Sequence, residues 1–454
     1  MPNALRLCKK RISIYAFCAI LVSERYEGVC HMEFTTLSEQ EFSAFADTHP
    51  LRNFWQTPQM AHVREKRGFH TYYVGVRDNG NIIAAAMLSE LKVFLGYTLV
   101  QALRGFLIDY EDSELLDFFH HALIRFLKAR KCMILKIDPY YPYVQRDLNG
   151  ERVPGGFDHS DVVEHLKRLG YHHLGFTRGI DLDYEPRWIY TVPYHGMSAD
   201  ELLKTFERKT VRSIRKAEKY HVTVRELDAD QLDLFMKVME HTEDRRGFEG
   251  RSKEYYQLLY QEFAPKGYIK FLYAELKVDD YIADLEHDLK QEKATEADCL
   301  KKLEANEKSH KIRTRLELAQ EQIRQLEEKI SEAQKLKKTD GEVLVLSSGV
   351  WFTYGRESLC LLSGVYDKYM KFASPYAMHW KMMQEGIAKG QERYNLYGTS
   401  GIFDPKASDY GVYLFKKGFQ GEIEELLGDF HYVLHPLLNR IYDTLRGIKH
   451  KLRG

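Results

Sequence analysis

Seven apolar residues, Ile312, Leu316, Ala319, Ile323, Leu326, Ile330 and Ala333, recur at alternating spacings of four and three, and Ile282, Leu285 and Leu289 begin a similar seam. That is the heptad rhythm of helices packed along one stripe. The repeat lies in an insertion, Val278 to Asp340, between two runs that read as strands, Tyr268 to Leu276 and Val343 to Tyr354. Both ends must return to neighbouring strands, so the insertion is expected to be two antiparallel helices of ~30 residues, each ~45 Å long at 1.5 Å per residue. Such an arm is suited to contact with RNA or a partner and not to catalysis.

The arm interrupts a pattern that occurs twice. A helix from Pro58 to Arg67 leads to strands Thr71–Val76 and Ile82–Leu88, joined by Asp78-Asn79-Gly80, and Asn-Gly between β-rich runs is a strong hairpin signal. Strand Leu99–Ile108 follows, then a helix capped by Ser113 with Leu115, Leu116, Phe119, Leu123, Phe126 and Leu127 on one face, then buried strand Cys132–Ile137. After a helix at Asp161–Leu169, Ser198 and Glu201 form a capping box that opens a second helical region. Strands Tyr268–Leu276, Val343–Tyr354 and Leu359–Val365, helix Pro375–Lys389 and strand Tyr394–Tyr397 then repeat the earlier order. The arm stands where the first half has its hairpin, so element order, not residue identity, implies duplication.

With 454 residues, 44% of them hydrophobic, the chain can bury more than one core. Its 66 basic and 66 acidic side chains cancel, so anion binding must come from a local patch. The six cysteines, Cys8, Cys18, Cys30, Cys132, Cys299 and Cys360, show no metal-ligand spacing and suggest reduced thiols in a cytosolic compartment. No apolar run reaches the ~18 residues of a membrane span. Residues 1–31 are expected to be a non-native or disordered extension: Ile12 to Val22 mimics a signal peptide but lacks a small-x-small cleavage site, and Met32 opens a conventional domain start. The expected domains are 32–190, then 191–277 with 341–429, with the arm at 278–340. The tail 430–454 carries Leu437, Leu438, Ile441, Leu445, Ile448 and Leu452 among basic residues, and packs back onto the first domain or lies on an anionic membrane.

Two stretches point to chemistry. In Arg208–Lys219, RKTVRSIRKAEK, six of twelve residues are basic, and Arg208, Arg212, Arg215 and Lys219 share one helical face. With only Glu218 to compensate, the stripe reads as an anion site, against the plainer alternative of a solvated face. From Asn395 to Phe419 the sequence suggests a strand, a loop with Gly398, Gly401 and Pro405, and a second strand ending in Lys416, Lys417 and the turn residue Gly418. Loops held between strands often carry function.

Across Met32 to the C-terminus the chain resembles the FemA/FemB/FemX family, which includes MurM and MurN, in the branch with a coiled-coil insertion. The residues that carry this are HVREKRGFHTYYVGV, RGFLIDYED, KIDPYYPY, RKTVRSIRKAEK, YAMHWKMMQEGI and the stretch ending in FKKGF. The resemblance implies an α/β (α+β) fold of tandem acetyltransferase-like (GNAT) domains. It implies transfer of Gly, Ala or Ser from aminoacyl-tRNA to the stem-peptide amine of a peptidoglycan precursor, either lipid II or a nucleotide-linked muropeptide. It implies a cytoplasmic enzyme at the inner face of the membrane, with no cofactor or metal, and possible work alongside a sister transferase. Lys416 matches the family lysine near the tRNA acceptor end. Lys66, followed three residues later by Phe69, matches a substrate-contacting lysine and aromatic. Lys209, Arg212 and Arg215 belong to the matching basic helix, and with Lys66 are candidates for the acceptor's diphosphate or, alternatively, for surface ion pairs. Asp109 follows the RGFLI strand, where Phe106 replaces the family's usual proline; it would orient the attacking amine or pair with a lysine such as Lys416.

Aminolysis of an ester needs proximity, a deprotonated amine and stabilisation of oxyanion and leaving hydroxyl, all without a covalent nucleophile. No local Ser-His-Asp or Cys-His signature stands out. Two rivals remain: an acyl-CoA-dependent N-acyltransferase, disfavoured because no R/Q-x-x-G-x-G/A turn is found, and a non-enzymatic cell-wall scaffold.

Overall fold

The computed structural model describes residues 31–181, 184–247 and 250–451. The expected extension 1–31, apart from His31, lies outside them, as do Cys8, Cys18 and Cys30.

The first half runs β1 (Met32–Leu37), α1 (Glu39–Ala46), α2 (Pro58–Lys66), β2 (His70–Asp78), β3 (Asn81–Phe94), β4 (Tyr97–Ala102), α3 (Ser113–Ala129) and β5 (Cys132–Ile137). Neighbours from β1 to β4 pair antiparallel, and α3 crosses over so that β5 lies parallel to β4. Asn79 and Gly80 hold φ of +49° and +82°, the double positive φ that closes the β2–β3 hairpin. Asp112 caps α3 through Leu115 N–H at 3.0 Å, one residue before the expected Ser113. The expected strand to Ile108 stops at Ala102, because Arg104 turns the chain at φ +52° before Leu107 rejoins Ala85.

A linking stretch then supplies β6 (Pro142–Gln145), α4 (Ser160–Arg168), β7 (His172–His173), β8 (Trp188–Pro193), α5 (Ala199–Thr205) and α6 (Arg208–Lys219). The Ser198–Glu201 capping box is present. The second half is β9 (Thr223–Glu226), α7 (Leu232–Arg246), α8 (Lys253–Phe263), β10 (Ile269–Lys277), arm helices α9 (Val278–Ala305) and α10 (His310–Asp340), β11 (Val343–Tyr354), β12 (Glu357–Val365), α11 (Ser374–Ala388) and β13 (Arg393–Thr399). It repeats the first half element for element, with β13 again parallel to β12. In the arm the expected seam faces inward: Leu285, Ala319 and Ala333 are buried, and Cys299, outside that seam, is buried as well, while Lys293–Glu327 (2.8 Å) and Lys337–Asp279 (2.7 Å) tie the helices together.

The chain ends with α12 (Tyr410–Lys417), β14 (Glu422–Leu426), β15 (Phe430–Val433) and α13 (Pro436–Lys451). Strand order is β1-β2-β3-β4-β5-β15-β7 in one sheet and β6-β14-β8-β13-β12-β11-β10-β9 in the other. The halves therefore trade strands: β15 completes the first sheet, and β6 forms an edge of the second. Against the sequence expectation, a boundary at 190/191 falls inside β8, and residues 142–145 belong to the second sheet. Strands of four residues have little pairing of their own and settle on whichever sheet offers an open edge. Leu438 and Tyr442 of α13 pack on Leu99, Met133 and Ile134, so part of the tail's apolar face covers the first sheet. Between the halves, Phe54 stacks on Phe352 with ring centroids 3.9 Å apart in a core shared by both.

Candidate functional site

Side chains alternate across a strand, so the second sheet has two chemically distinct faces. Val350, Phe352 and Leu359 enter the core built with α1, α2, α7 and α8, while Trp351 and Cys360 enter the core built with α11 and α6. Lys66 and Phe69 lie on the first of these faces. Lys66 Nζ pairs with Glu262 of α8 at 2.5 Å, and the Arg64 guanidinium sits 3.7 Å above the Phe69 ring. Arg212, Arg215 and Lys209 lie on the second face, exposed on α6, whose Ile214 is buried against α11. Lys66 therefore sits beside α8, while the α6 arginines stand on the helix layer of the opposite face of the second sheet. On α6 the stripe is also shortened at its end, where Lys219 pairs with Asp288 of the arm at 2.7 Å.

β12 and β13 pair over only three residue pairs. Their parallel pairing ends at Leu359↔Asn395, and β13 then shifts register against β8 between Asn395 and Gly398. An irregularity of this kind re-aims side chains and opens space. Tyr397 sits there at φ +61°, a conformation rare for a residue with a side chain, with its N–H held by Asn395 Oδ1 at 2.7 Å.

Lys416 fills this opening. The expected second strand before it is instead helix α12, because Tyr413 and Lys416, three residues apart, face the same interior; tertiary packing overrides the β propensity of Val412, Tyr413 and Phe415. Lys416 is buried, and its Nζ donates to the carbonyls of Tyr397 (3.3 Å) and Gly398. Burial pushes the amine down to about 8. Its neighbours are uncharged in kind: burial drives the Cys360 thiol up to about 12 and the His379 imidazole down to about 3, and His379 Nδ1 lies 2.6 Å from the Tyr394 hydroxyl. An ammonium has three N–H donors, so two carbonyls leave one for a reacting oxygen. The basic helix adjoins this site. Glu207 N–H donates to Gly418 O at 3.0 Å, and a Cβ on Gly418 would meet Thr210 Oγ1 at 2.2 Å, so only glycine lets α6 approach α12 this closely.

On the other face a polar cluster sits between the halves. Glu185 accepts from the Tyr397 hydroxyl, Arg104 N–H donates to Asp138 Oδ1 at 2.8 Å, and Asp138 Oδ2 has no hydrogen-bond partner among the described residues. Burial pushes the Asp138 carboxyl upward, and burial likewise raises Asp429 to about 6. Arg67 lies over the Tyr255 ring at 4.9 Å, bringing the end of α2 beside α8. These residues were not singled out in the sequence. The signal for Asp138 was an acidic residue directly after a buried parallel strand, the strand end at which α/β sheets place ligands.

Asp109 is not part of either group. It is exposed, accepts from Glu111 N–H at 3.0 Å and bears on His49; the groups that bear on Lys416 are Cys360 and Asp409. The Asp109–Lys416 pair, one of the two readings of Asp109, is not formed: Lys416 Nζ meets the carbonyls of Tyr397 and Gly398 instead. A cavity of about 310 Å3 lies elsewhere, at the root of the arm, lined by Lys216, Tyr220, Tyr281 and Lys371 among others.

The sequence profile of the FemAB family matches residues 37–447. The chain belongs to the FemAB family. Aminoacyltransferase FemA from Staphylococcus aureus strain bovine RF122 / ET3-1 is 32% identical over 429 residues, covering 93% of this chain and all of that protein, and FemA from strain MRSA252 gives the same figures. A crystal structure of FemX superposes with a TM-score of 0.72 at 28% identity, covering 90% of this chain and 99% of that one. This FemAB chain thus shares the fold of FemX, and Lys416, Asp138 and Glu185 all fall within the span matched by the family profile.

Proposed function

We infer that this FemAB protein transfers an amino acid from aminoacyl-tRNA to the stem-peptide amine of a peptidoglycan precursor, extending the interpeptide bridge. The observation that carries this reading is the Lys416 ammonium in the gap between β12 and β13, between an α6 face rich in cations and a polar cluster between the halves. The α6 cations suit the phosphates of the RNA donor. The opposite face, with Lys66, Arg67, Tyr255 and Glu185, suits the acceptor, whether lipid II or its nucleotide-linked counterpart.

The acceptor amine attacks the ester carbonyl, forming the C–N bond and a tetrahedral oxyanion. The C–O bond to the ribose then breaks, and the proton lost by the amine passes to the departing ribose oxygen. The remaining N–H of Lys416 stabilises the oxyanion or the departing oxygen, and burial strengthens that interaction by excluding water. No covalent enzyme intermediate enters this scheme. The setting is the cytoplasm, with visits to the inner membrane surface, and a sister transferase acts before or after this one in a bridge of several residues.

The test is product mass after incubating the full chain with lipid-linked or nucleotide-linked precursor and tRNA charged in turn with Gly, Ala or Ser. An added residue of the matching mass supports the reading; acetylation from acetyl-CoA, or no transfer from any charged tRNA, overturns it.

A further inference from the structure

The two most exposed large apolar side chains among the described residues are Leu95, 74% exposed, and Leu437, 73% exposed. They belong to different elements, the β3–β4 turn and the start of α13, that meet at one corner of the first sheet. There Tyr97 contacts His435 with ring centroids 4.9 Å apart, and Val93, Tyr97, Leu438 and Tyr442 share one small core. Leu437, Ile441 and Leu445 are spaced four apart and all exposed, so α13 buries one stripe on the sheet and turns a second to solvent. Isolated exposed leucines need no explanation; a cluster drawn from two elements does.

The rim of this corner is cationic. Lys92, opposite Thr98 in the ladder, Lys131, whose carbonyl accepts Thr98 N–H, and Arg440 are all exposed. The chain continues with Arg446, Lys449 and Lys451. The nearest acid on the helix, Asp443, accepts from Asn439 on the side of α13 away from the apolar stripe.

We propose that the corner formed by Leu95, Leu437, Ile441 and Leu445, rimmed by Lys92, Lys131 and Arg440, docks onto an anionic lipid bilayer. Apolar side chains enter the headgroup boundary while the cations meet lipid phosphates. Charge complementarity selects this occupant over a second copy of the chain, since pairing two such corners would bring like charges together. The corner lies at the N-terminal ends of β4 and β5, whereas Arg104 and Asp138 follow their C-terminal ends, ~20 Å away at 3.3 Å per residue. Under the proposed function, a stem peptide anchored in that bilayer crosses this separation to reach the polar cluster. That last relation rests on the proposed function; the docking itself does not.

The experiment is co-sedimentation of the full chain with vesicles of phosphatidylcholine alone or with phosphatidylglycerol, without substrates. Wild type is expected to bind the anionic vesicles only. Leu95→Ser with Leu437→Ser is expected to weaken binding by roughly tenfold or more, and Lys92→Gln, Lys131→Gln and Arg440→Gln by roughly fivefold each. All variants should keep the wild-type melting temperature, and transfer to a nucleotide-linked acceptor should be unchanged if the proposed function holds. Absence of binding by wild type, equal binding by the leucine variant, or a dimer in solution that the leucine substitutions dissolve overturns the proposal. Failure of transfer with every acceptor would count against the proposed function and leave vesicle binding as the separate measure of this surface.

Discussion

Lys416 and Tyr397 meet across one strand: the lysine ammonium donates to the Tyr397 carbonyl from the α11 face, while the Tyr397 hydroxyl donates to Glu185 among the polar groups between the halves. The positive φ of Tyr397 is what allows backbone and ring to serve opposite sides, and such local strain is typical where geometry is functional.

Lys416→Met keeps a buried side chain of similar length and removes the donor. Transfer is expected to fall by about 10²–10³ in kcat with little change in melting temperature. Rapid-quench assays with charged tRNA measure it, and wild-type turnover in the variant sinks the assigned role.

The titration of Lys416 gives a pH signature. Its amine is held at about 8, below the ~10.4 of an unfolded lysine. The required ammonium is lost as pH rises through 8, so kcat is expected to decline on the alkaline side with a midpoint near that value. Stability moves the other way. Between pH 8 and ~10.4 the unfolded chain binds more protons at this site, so the Lys416 contribution to stability improves with pH. A pH profile of kcat and one of denaturant midpoint, each compared with Lys416→Met, read the two effects separately.

The two faces predict separable binding defects. Arg212→Ala with Arg215→Ala is expected to raise KM for charged tRNA several-fold and flatten its salt dependence, leaving KM for the precursor alone. Lys66→Ala is expected to do the reverse. If both sets of substitutions shifted the same KM, the division of substrates between faces would be wrong.

Asp429 carries a second pH dependence. Burial raises it to about 6 against ~3.9 unfolded. Across that window the native state holds a proton the unfolded state has released, so the Asp429 contribution falls as pH rises from 4 to 6, by at most about 3 kcal/mol. Asp429→Asn removes this term, and urea melts at pH 4 and pH 6.5 should show the variant gaining stability relative to wild type at the higher pH.

The distal arm is expected to be dispensable for folding. Tyr281, Leu285 and Ala333 pack at its root with Leu344, Leu346 and Phe372. Replacing residues 291–327 by a short Gly-Asn loop keeps that contact, and the melting temperature should stay within about 4 °C of wild type. A broad, early transition in calorimetry would show that the distal arm supports the core.

Much of the fold was legible because it rests on local periodicity. The seam from Ile312 to Ala333, the Asn79-Gly80 hairpin and the capping box at Ser198 each satisfy a rule within a few residues, and each element forms. The stretch before Lys416 was misread for the opposite reason: Val412, Tyr413 and Phe415 prefer strands locally, but three-residue spacing lets Tyr413 and Lys416 face one interior. The trade of β6 and β15 between sheets was equally hidden, since open edges exist only after both sheets form.

By itself the sequence determined the duplicated α/β plan, the arm between β10 and β11, and which side chains carry charge, because these follow from patterns repeated along the chain. Only the tertiary structure decided which charges share a place. It set Lys66 and Arg212 on opposite faces of a sheet, gave Lys416 the carbonyls of Tyr397 and Gly398 in place of Asp109, and joined Arg104, Asp138 and Glu185 around Tyr397. The physical reason is that burial and face are properties of packing: where β12 and β13 part determines which lysine loses its water, and that is fixed by contacts between residues far apart in sequence.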